Sequence, residues 1–257
     1  MAVNQKKDCF RIWQFSDIHL YADSARELYG VNCDASLKQI LSTALSMEDR
    51  ADICLLTGDL VQDGSETGYQ RLLNYIESLA VCSYCLPGNH DDVYMMQRTL
   101  STGNVSCPGH LLYRQWLIIL VDTTLDSSNA GHLSGAEYRR INDLLQQYTD
   151  EHVLLAMHHP PLPTNMAWLD NGVTMDNPAR LHTLVAEHPR IRAVIWGHAH
   201  QEFLQLQDGV LWAGCPSTNA QFRPGVTDFE LDNVPPGFRT FELWDDGRVD
   251  SDVIRLP

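Results

Sequence analysis

Ile53-Cys54-Leu55-Leu56-Thr57-Gly58-Asp59 is the stretch from which the rest of the chain is read. An apolar run over 51–56 that stops at a turn dipeptide predicts a buried strand, with a carboxylate waiting just beyond its carboxyl end. On either side the same pattern returns. A run over 10–15 opens into Ser16-Asp17-Ile18-His19, and one over 80–86 opens into Pro87-Gly88-Asn89-His90-Asp91. Farther out, runs over 116–121, 152–157 and 193–196 predict three more strands. The second of these ends in His158-His159-Pro160 and the third in Gly197-His198-Ala199-His200.

Between these strands lie helical patterns, which makes the first three quarters of the chain an α/β fold. One helix is expected to start with Asp34 as N-cap and to bury Leu37, Ile40, Leu41, Ala44 and Leu45. A second starts at Ser134, with Glu137 completing a capping box and Tyr138, Ile141, Leu144 and Leu145 forming the apolar stripe. A third opens with Asn177 before Pro178. From Val210 onward the prolines 216, 224, 235 and 236 predict short strands and loops without a helix. No flexible linker precedes that segment, so 1–257 reads as one domain, with 210–257 its mainly β closing part.

Composition narrows the partners. Of the 257 residues 44% are hydrophobic, enough for a sizeable core. Lys and Arg number 18 against 33 Asp and Glu, a formal charge of −15. That balance argues against gripping a nucleic-acid polymer or an anionic lipid surface. No run approaches the ~20 apolar residues of a membrane span. Lys6 and Lys7 suit the start of a signal peptide, but Asp8, Arg11 and Gln14 interrupt its apolar segment, and a cytoplasmic protein is expected. The seven cysteines are scattered, as suits reduced thiols. Cys82 and Cys85 match a CxxC spacing, yet on a strand residues three apart face opposite ways, so two buried structural cysteines are expected.

Each strand-end cluster alone is ordinary: Gly-Asp and Gly-Asn are turn dipeptides, and paired histidines before prolines can be a polar loop. Together they hold His19, His90, His158, His159, His198 and His200, six of the eleven histidines. In layered α/β folds ligands bind beyond the carboxyl ends of the strands, so the five clusters can meet in one crevice. Imidazoles, carboxylates and an amide oxygen without thiolate suit Mn, Fe or Zn. Seven donors exceed the needs of one ion and fit two that share a carboxylate bridge, about 3.5–4 Å apart. Only Asp17 and Asp59 among them are negative, so two divalent ions with one hydroxide leave the site positive and able to take a phosphate.

In order, Asp17-x-His19, Gly58-Asp59, Gly88-Asn89-His90-Asp91, His158 and Gly197-His198-x-His200 resemble the calcineurin-like metallophosphoesterases. The chain looks closer still to their bacterial class III 3′,5′-cyclic nucleotide phosphodiesterases, those of cyclic AMP in particular. That likeness extends through Leu28-Tyr29-Gly30-Val31-Asn32, Trp168-Leu169-Asp170, Pro216-Ser217-Thr218, Gln221-Phe222 and Pro236-Gly237-Phe238-Arg239-Thr240. The resemblance implies two face-to-face mixed β-sheets flanked by helices, with a dinuclear site at one edge. It implies Asp17, His19, Asp59 and His200 on one ion, and Asp59, Asn89, His158 and His198 on the other. It further implies a phosphate resting against His19, Asp59, Asn89, His90 and His200.

The reaction so implied is hydrolysis of 3′,5′-cyclic AMP to 5′-AMP by a hydroxide held between Fe or Mn ions, Zn being possible. His90 then protonates the leaving oxygen, or else only supports a ligand or touches the phosphate. Asp91 orients His90 or caps the following helix. His159 faces the other way from His158, so support of a ligand or a purely structural service is expected rather than ligation. Arg223 and Arg239 read as surface or ion-pair residues, with phosphate or adenine contact the alternative; Asp245-Asp246 and 228–230 read as solvated loop charge. Glycerophosphodiesters or 2′,3′-cyclic nucleotides are the neighbouring substrates. A metal-free binding module on the same fold is the alternative of another class. Oligomeric state is left open.

Overall fold

The computed structural model describes residues 8–257, so Lys6 and Lys7 lie outside the described residues. Two six-stranded sheets carry the fold. Across the first the order is Val249–Arg255, Gly237–Trp244, Cys9–Phe15, Ile53–Thr57, Cys82–Leu86 and Val105–Ser106. Its last four strands are parallel, and the C-terminal hairpin joins them antiparallel. Across the second the order is Phe203–Gln207, Val210–Gly214, Ile191–Trp196, His152–Ala156, Trp116–Leu120 and His110–Tyr113, with antiparallel pairing only at the two edges.

The strands read as unbroken apolar runs because both faces of each sheet are covered. Phe10, Ile12, Ile53 and Leu55 point inward against Ile118, Leu154, Ala193 and Ile195, the core between the sheets. Their neighbours Trp13, Phe15, Cys54 and Leu56 point outward under helices Cys33–Ser46 and Glu66–Glu77. On the opposite side Ile119, Leu155 and Val194 are covered by Gly135–Gln147 and Pro178–Glu187. Each such large side chain contributes about 1.5–3 kcal/mol on burial. The result is helix, sheet, sheet, helix. Every predicted strand is present, and the five site clusters begin where strands end.

Several local expectations are corrected. The N-cap of the first helix is Asn32, whose side chain accepts from the Ala35 amide. Asp34 is buried within the first turn, where it accepts from Arg71 and the Tyr75 hydroxyl. Leu45 is exposed. Ser134 does cap its helix, but Glu137 turns to the Asp122 amide and Arg140, so the box is half made. Asn177 precedes Pro178 as expected, yet its side chain bonds the backbone of Leu133. Cys82 is exposed and only Cys85 is buried, the opposite orientations that strand geometry requires.

The closing segment is more regular than expected. Gly237–Trp244 and Val249–Arg255 are long strands, and no helix follows Val210. Arg239 is buried and donates to the carbonyls of Gly214 and Phe203 in the second sheet and to Ser251 Oγ in the first, tying the two sheets together. It is therefore neither a surface residue nor an ion-pair partner. Arg223 does pair with Glu230. Asp245 is held by Arg114 at 2.6 Å, so that acidic run is not simply solvated.

Candidate metal centre

Asp17, His19, Asp59, His198 and His200 all have positive φ, between 44° and 64°. Left-handed backbone at non-glycine residues costs on the order of 1–3 kcal/mol each and persists only where surroundings enforce it. Here the loops enforce one another. The Asp17 amide donates to Gly58 O (3.1 Å), His19 N to Asp59 O (2.9 Å) and Gly197 N to His158 O (3.1 Å). Gly58 has φ 86°, and a Cβ there would lie 2.5 Å from His158 Nδ1. A Cβ on Gly88 would strike the Asp59 carboxylate. These two glycines let the strand-end loops approach side by side.

Asp17 and His200, at opposite ends of the motif order, meet with Oδ1 and Nε2 3.5 Å apart. His19 Nε2 lies 2.9 Å from His200 Nε2 and 3.8 Å from Asp59 Oδ2. His158 Nε2 lies 3.3 Å from Asp59 Oδ1, 3.2 Å from Asn89 Oδ1 and 3.2 Å from His198 Nδ1. All seven sequence-expected donors are thus brought together, with Asp59 between the two halves.

The outer nitrogen of each ring decides which atom faces inward. His200 Nδ1 donates to Ala220 O (2.7 Å), His158 Nδ1 to Thr57 O (2.8 Å), His198 Nε2 to Val173 O (2.9 Å) and His19 Nδ1 to Gln62 Oε1 (2.5 Å). In its neutral form an imidazole has one N–H, so with the outer nitrogen donating each inner nitrogen can offer a lone pair to an ion. Four imidazole nitrogens, two carboxylates and the Asn89 oxygen converge, with the amides of His198 and His90 donating to Asp17 and Asp59. Such a donor set, two carboxylates with imidazole nitrogens and an amide oxygen but no thiolate, fits first-row cations.

Without an ion, the carboxylates and His158 balance one another. Burial pushes the Asp17 carboxyl up, but His200 and then His158 outweigh it and hold it low; His158 and His19 hold Asp59 lower still. Burial lowers His19 to about 4 and His198 to about 3. His158, also opposed by burial, is raised to about 9 by Asp59.

His90 sits at the edge of the cleft with Nε2 4.0 Å from Asp59 Oδ2, and its amide donates to Asp59 Oδ1. Asp91 neither orients His90 nor caps the helix, which Asp92 does. It accepts from the amides of Leu60, Val61 and Gly88 and from the Tyr69 hydroxyl, tying the Asp59 loop to the Asn89 loop. Burial, then the charge of Asp59, raises it to about 6. His159 donates or accepts at Thr123 Oγ1 through Nδ1 (2.8 Å), yet its ring lies only 4.7 Å from that of His198 and its Nε2 has no partner. It lies beside the donor cluster rather than away from it.

A cleft of about 160 Å³ opens over these groups, walled by Leu28, Tyr29, Gln62, Asn129, Trp168, Leu169, Val173 and Phe222. Phe222 stacks flat on His200, ring centroids 4.0 Å apart. Periodicity and ligand chemistry missed Gln62 and the carbonyls of Val173 and Ala220. Backbone acceptors leave no trace in side-chain identity, and Gln62 differs from any polar loop residue only in where it points.

Fold and donor cluster together define a phosphoesterase of the calcineurin-like class. A model of that family, described as calcineurin-like phosphoesterase, matches residues 10–202, and the chain belongs to it. The chain is similar to the 3′,5′-cyclic adenosine monophosphate phosphodiesterase CpdA of Escherichia coli, 35% identical over 96% of this chain and 90% of that one. It is likewise similar to a 3′,5′-cyclic-nucleotide phosphodiesterase of Nostoc, 33% identical over 96% and 92%. Among solved structures, a dimetal phosphatase from Danio rerio superposes with a TM-score of 0.67 at 16% identity, covering 96% of this chain and 99% of that one, a likeness of fold.

Proposed function

We propose that the protein is a metal-dependent phosphodiesterase that opens 3′,5′-cyclic AMP to 5′-AMP. The observation that carries this reading is the convergence of four imidazole nitrogens on Asp17, Asp59 and Asn89. Asp17, His19, Asp59 and His200 would hold one ion, and Asp59, Asn89, His158 and His198 the other, with Fe or Mn favoured and Zn tolerated by the same donors. When bound, such ions supply charge for the phosphate and bring the pKa of water toward about 7, giving a nucleophile at neutral pH.

The chain's own residues do the rest. Against the positive centre, His19, Asn89 and His200 border the place for the phosphate. His90 Nε2–H faces the leaving 3′ oxygen and gives it a proton as the bond to phosphorus breaks. The proton of the attacking hydroxide, now on the new phosphoryl oxygen, makes up the loss, so His90 returns unchanged. Tyr29, Trp168 and Phe222 beside the centre offer aromatic faces on which a base can stack, worth about 1–3 kcal/mol. That wall favours a nucleotide over a glycerophosphodiester. The printed names of the relatives favour the same substrate.

We place the reaction in the cytoplasm, on the evenly scattered free thiols; no helix among the described residues is long and apolar enough to cross a membrane. The whole chain acts as one catalytic domain. The test is a substrate panel with Mn supplied: 3′,5′-cyclic AMP, cyclic GMP, the 2′,3′ isomers, glycerophosphocholine and a nitrophenyl monoester. Fastest turnover of cyclic AMP is expected. Preference for glycerophosphocholine or a 2′,3′ isomer overturns the substrate, and protein that takes up no transition metal is a binding module instead.

A further inference from the structure

We infer that Gln62 is a positioning residue, one that fixes which nitrogen of His90 carries its proton; this rests on the metal reading above. Gln62 bridges two rings. Its Oε1 lies 2.5 Å from His19 Nδ1 and its Nε2 lies 3.0 Å from His90 Nδ1. The order of the bridge follows from the metal end. His19 turns Nε2 toward His200 and Asp59, so its hydrogen is on Nδ1 and must meet the amide oxygen. The amide NH₂ is then left for His90, and an NH₂ only donates.

His90 Nδ1 is therefore an acceptor, and the one hydrogen of the neutral ring stands on Nε2, the nitrogen turned toward Asp59 Oδ2 at 4.0 Å. Two consequences follow. His90 belongs to a spatial group with His19 and Asp59 that could hold an ion. A ring that bonds Gln62 through Nδ1 and a cation through Nε2 would have no hydrogen left, so Gln62 excludes His90 from the ligand set. The same bond holds the ring's only hydrogen in the cleft, ready for the leaving oxygen. A metal ligand thereby sets the protonation pattern of the residue that serves the substrate, with one amide between them.

Gln62→Met keeps the side chain's length and removes both hydrogen bonds. The first readout is nitrogen NMR of the zinc-loaded protein, in which His90 should show the Nε2–H form, lost to a mixture in the variant. An Nδ1–H form in the wild type overturns the proposal. The second readout is kinetic, with metal at saturation because loss of the His19 partner weakens binding ~10–100-fold. Ring opening of cyclic AMP releases the 3′ oxygen as an alkoxide that needs a proton, whereas bis(p-nitrophenyl) phosphate releases a phenolate that does not. The variant should lose ~10–100-fold more on cyclic AMP than on the nitrophenyl diester, a fraction of what a positioned acid contributes. Equal losses on both mean a merely structural role.

His90→Ala supplies the control for the underlying reading. In combination with it, Gln62→Met should cost nothing further on cyclic AMP, since the two act as a unit. Additive losses defeat the role of Gln62 alone. If His90→Ala itself shows no preference between the two substrates, or if no zinc is taken up, then the function above fails rather than the bridge.

Discussion

The cavity between helix Pro178–Glu187 and strand Val210–Gly214 has a volume of about 500 Å³ and walls that include Leu162, Val185, Ala186, Arg192 and Trp212. The cleft over the donor cluster has about 160 Å³. In the larger space no group of metal-capable donors comes together among the described residues, whereas the smaller one borders four overlapping groups. Volume follows from how helices happen to cover a sheet. Chemistry follows from how many strand ends are aimed at one point. The smaller cleft is the one where backbone strain, buried charge and lone pairs are all concentrated.

That contrast can be broken most severely at its centre. Asp59→Asn removes the charge shared by both halves of the cluster, and should abolish turnover of cyclic AMP beyond the ~10²–10⁴ that a positioned acid contributes. Elemental analysis should show metal lost as well; full metal content would remove the case for a bridging carboxylate.

Next comes the pH dependence of the metal-stripped protein. His19 and His198 stay neutral in the fold down to about 4 and about 3, while the unfolded chain takes protons near 6.5. Between those values the unfolded state binds more protons, so stability is present above about 6.5 and lost as pH falls. His158 has the opposite sign: raised to about 9, it contributes fully below 6.5 and loses that contribution as pH rises through 9. The unfolding free energy from urea titrations should therefore peak near neutrality and fall on both sides, by on the order of a few kcal/mol. A flat profile from pH 4.5 to 9 would show that the cluster stores no such energy.

Tyr29→Ala tests the wall rather than the floor of the small cleft. Loss of one stacking face should raise KM for cyclic AMP about tenfold and leave kcat nearly intact. A change in kcat with constant KM would move Tyr29 out of base recognition. The smallest effect is expected in the larger cavity, where Ala186→Trp fills space on an exposed helix face. Activity on cyclic AMP within about twofold of wild type is the expected outcome, since substitutions remote from the site are normally near neutral. A large loss there would mean that the two cavities communicate.

Much of the fold was legible because apolar runs record strands that are buried on both faces, as with Ile53–Thr57 and Trp116–Leu120. Element ends were less so. Asn32 displaced Asp34 as the helix cap because Asp34 found a stronger partner in Arg71, from a helix far along the chain. For the site, residue identity at strand ends was enough to name seven residues that the fold brings together, since ligand chemistry is a property of the side chain. It was not enough for Asp91 or Arg239, whose partners are backbone groups brought near only by folding.

The amino-acid sequence by itself determined the sheet-and-helix grammar, the donor types and the exclusion of thiolate chemistry, all carried by local pattern and composition. Only the tertiary structure decided which nitrogen of each histidine faces inward, that Gln62 joins His19 to His90, and which aromatic rings wall the cleft. Those choices are set by hydrogen-bond partners from distant segments, and direction in space is what a linear order of residues does not encode.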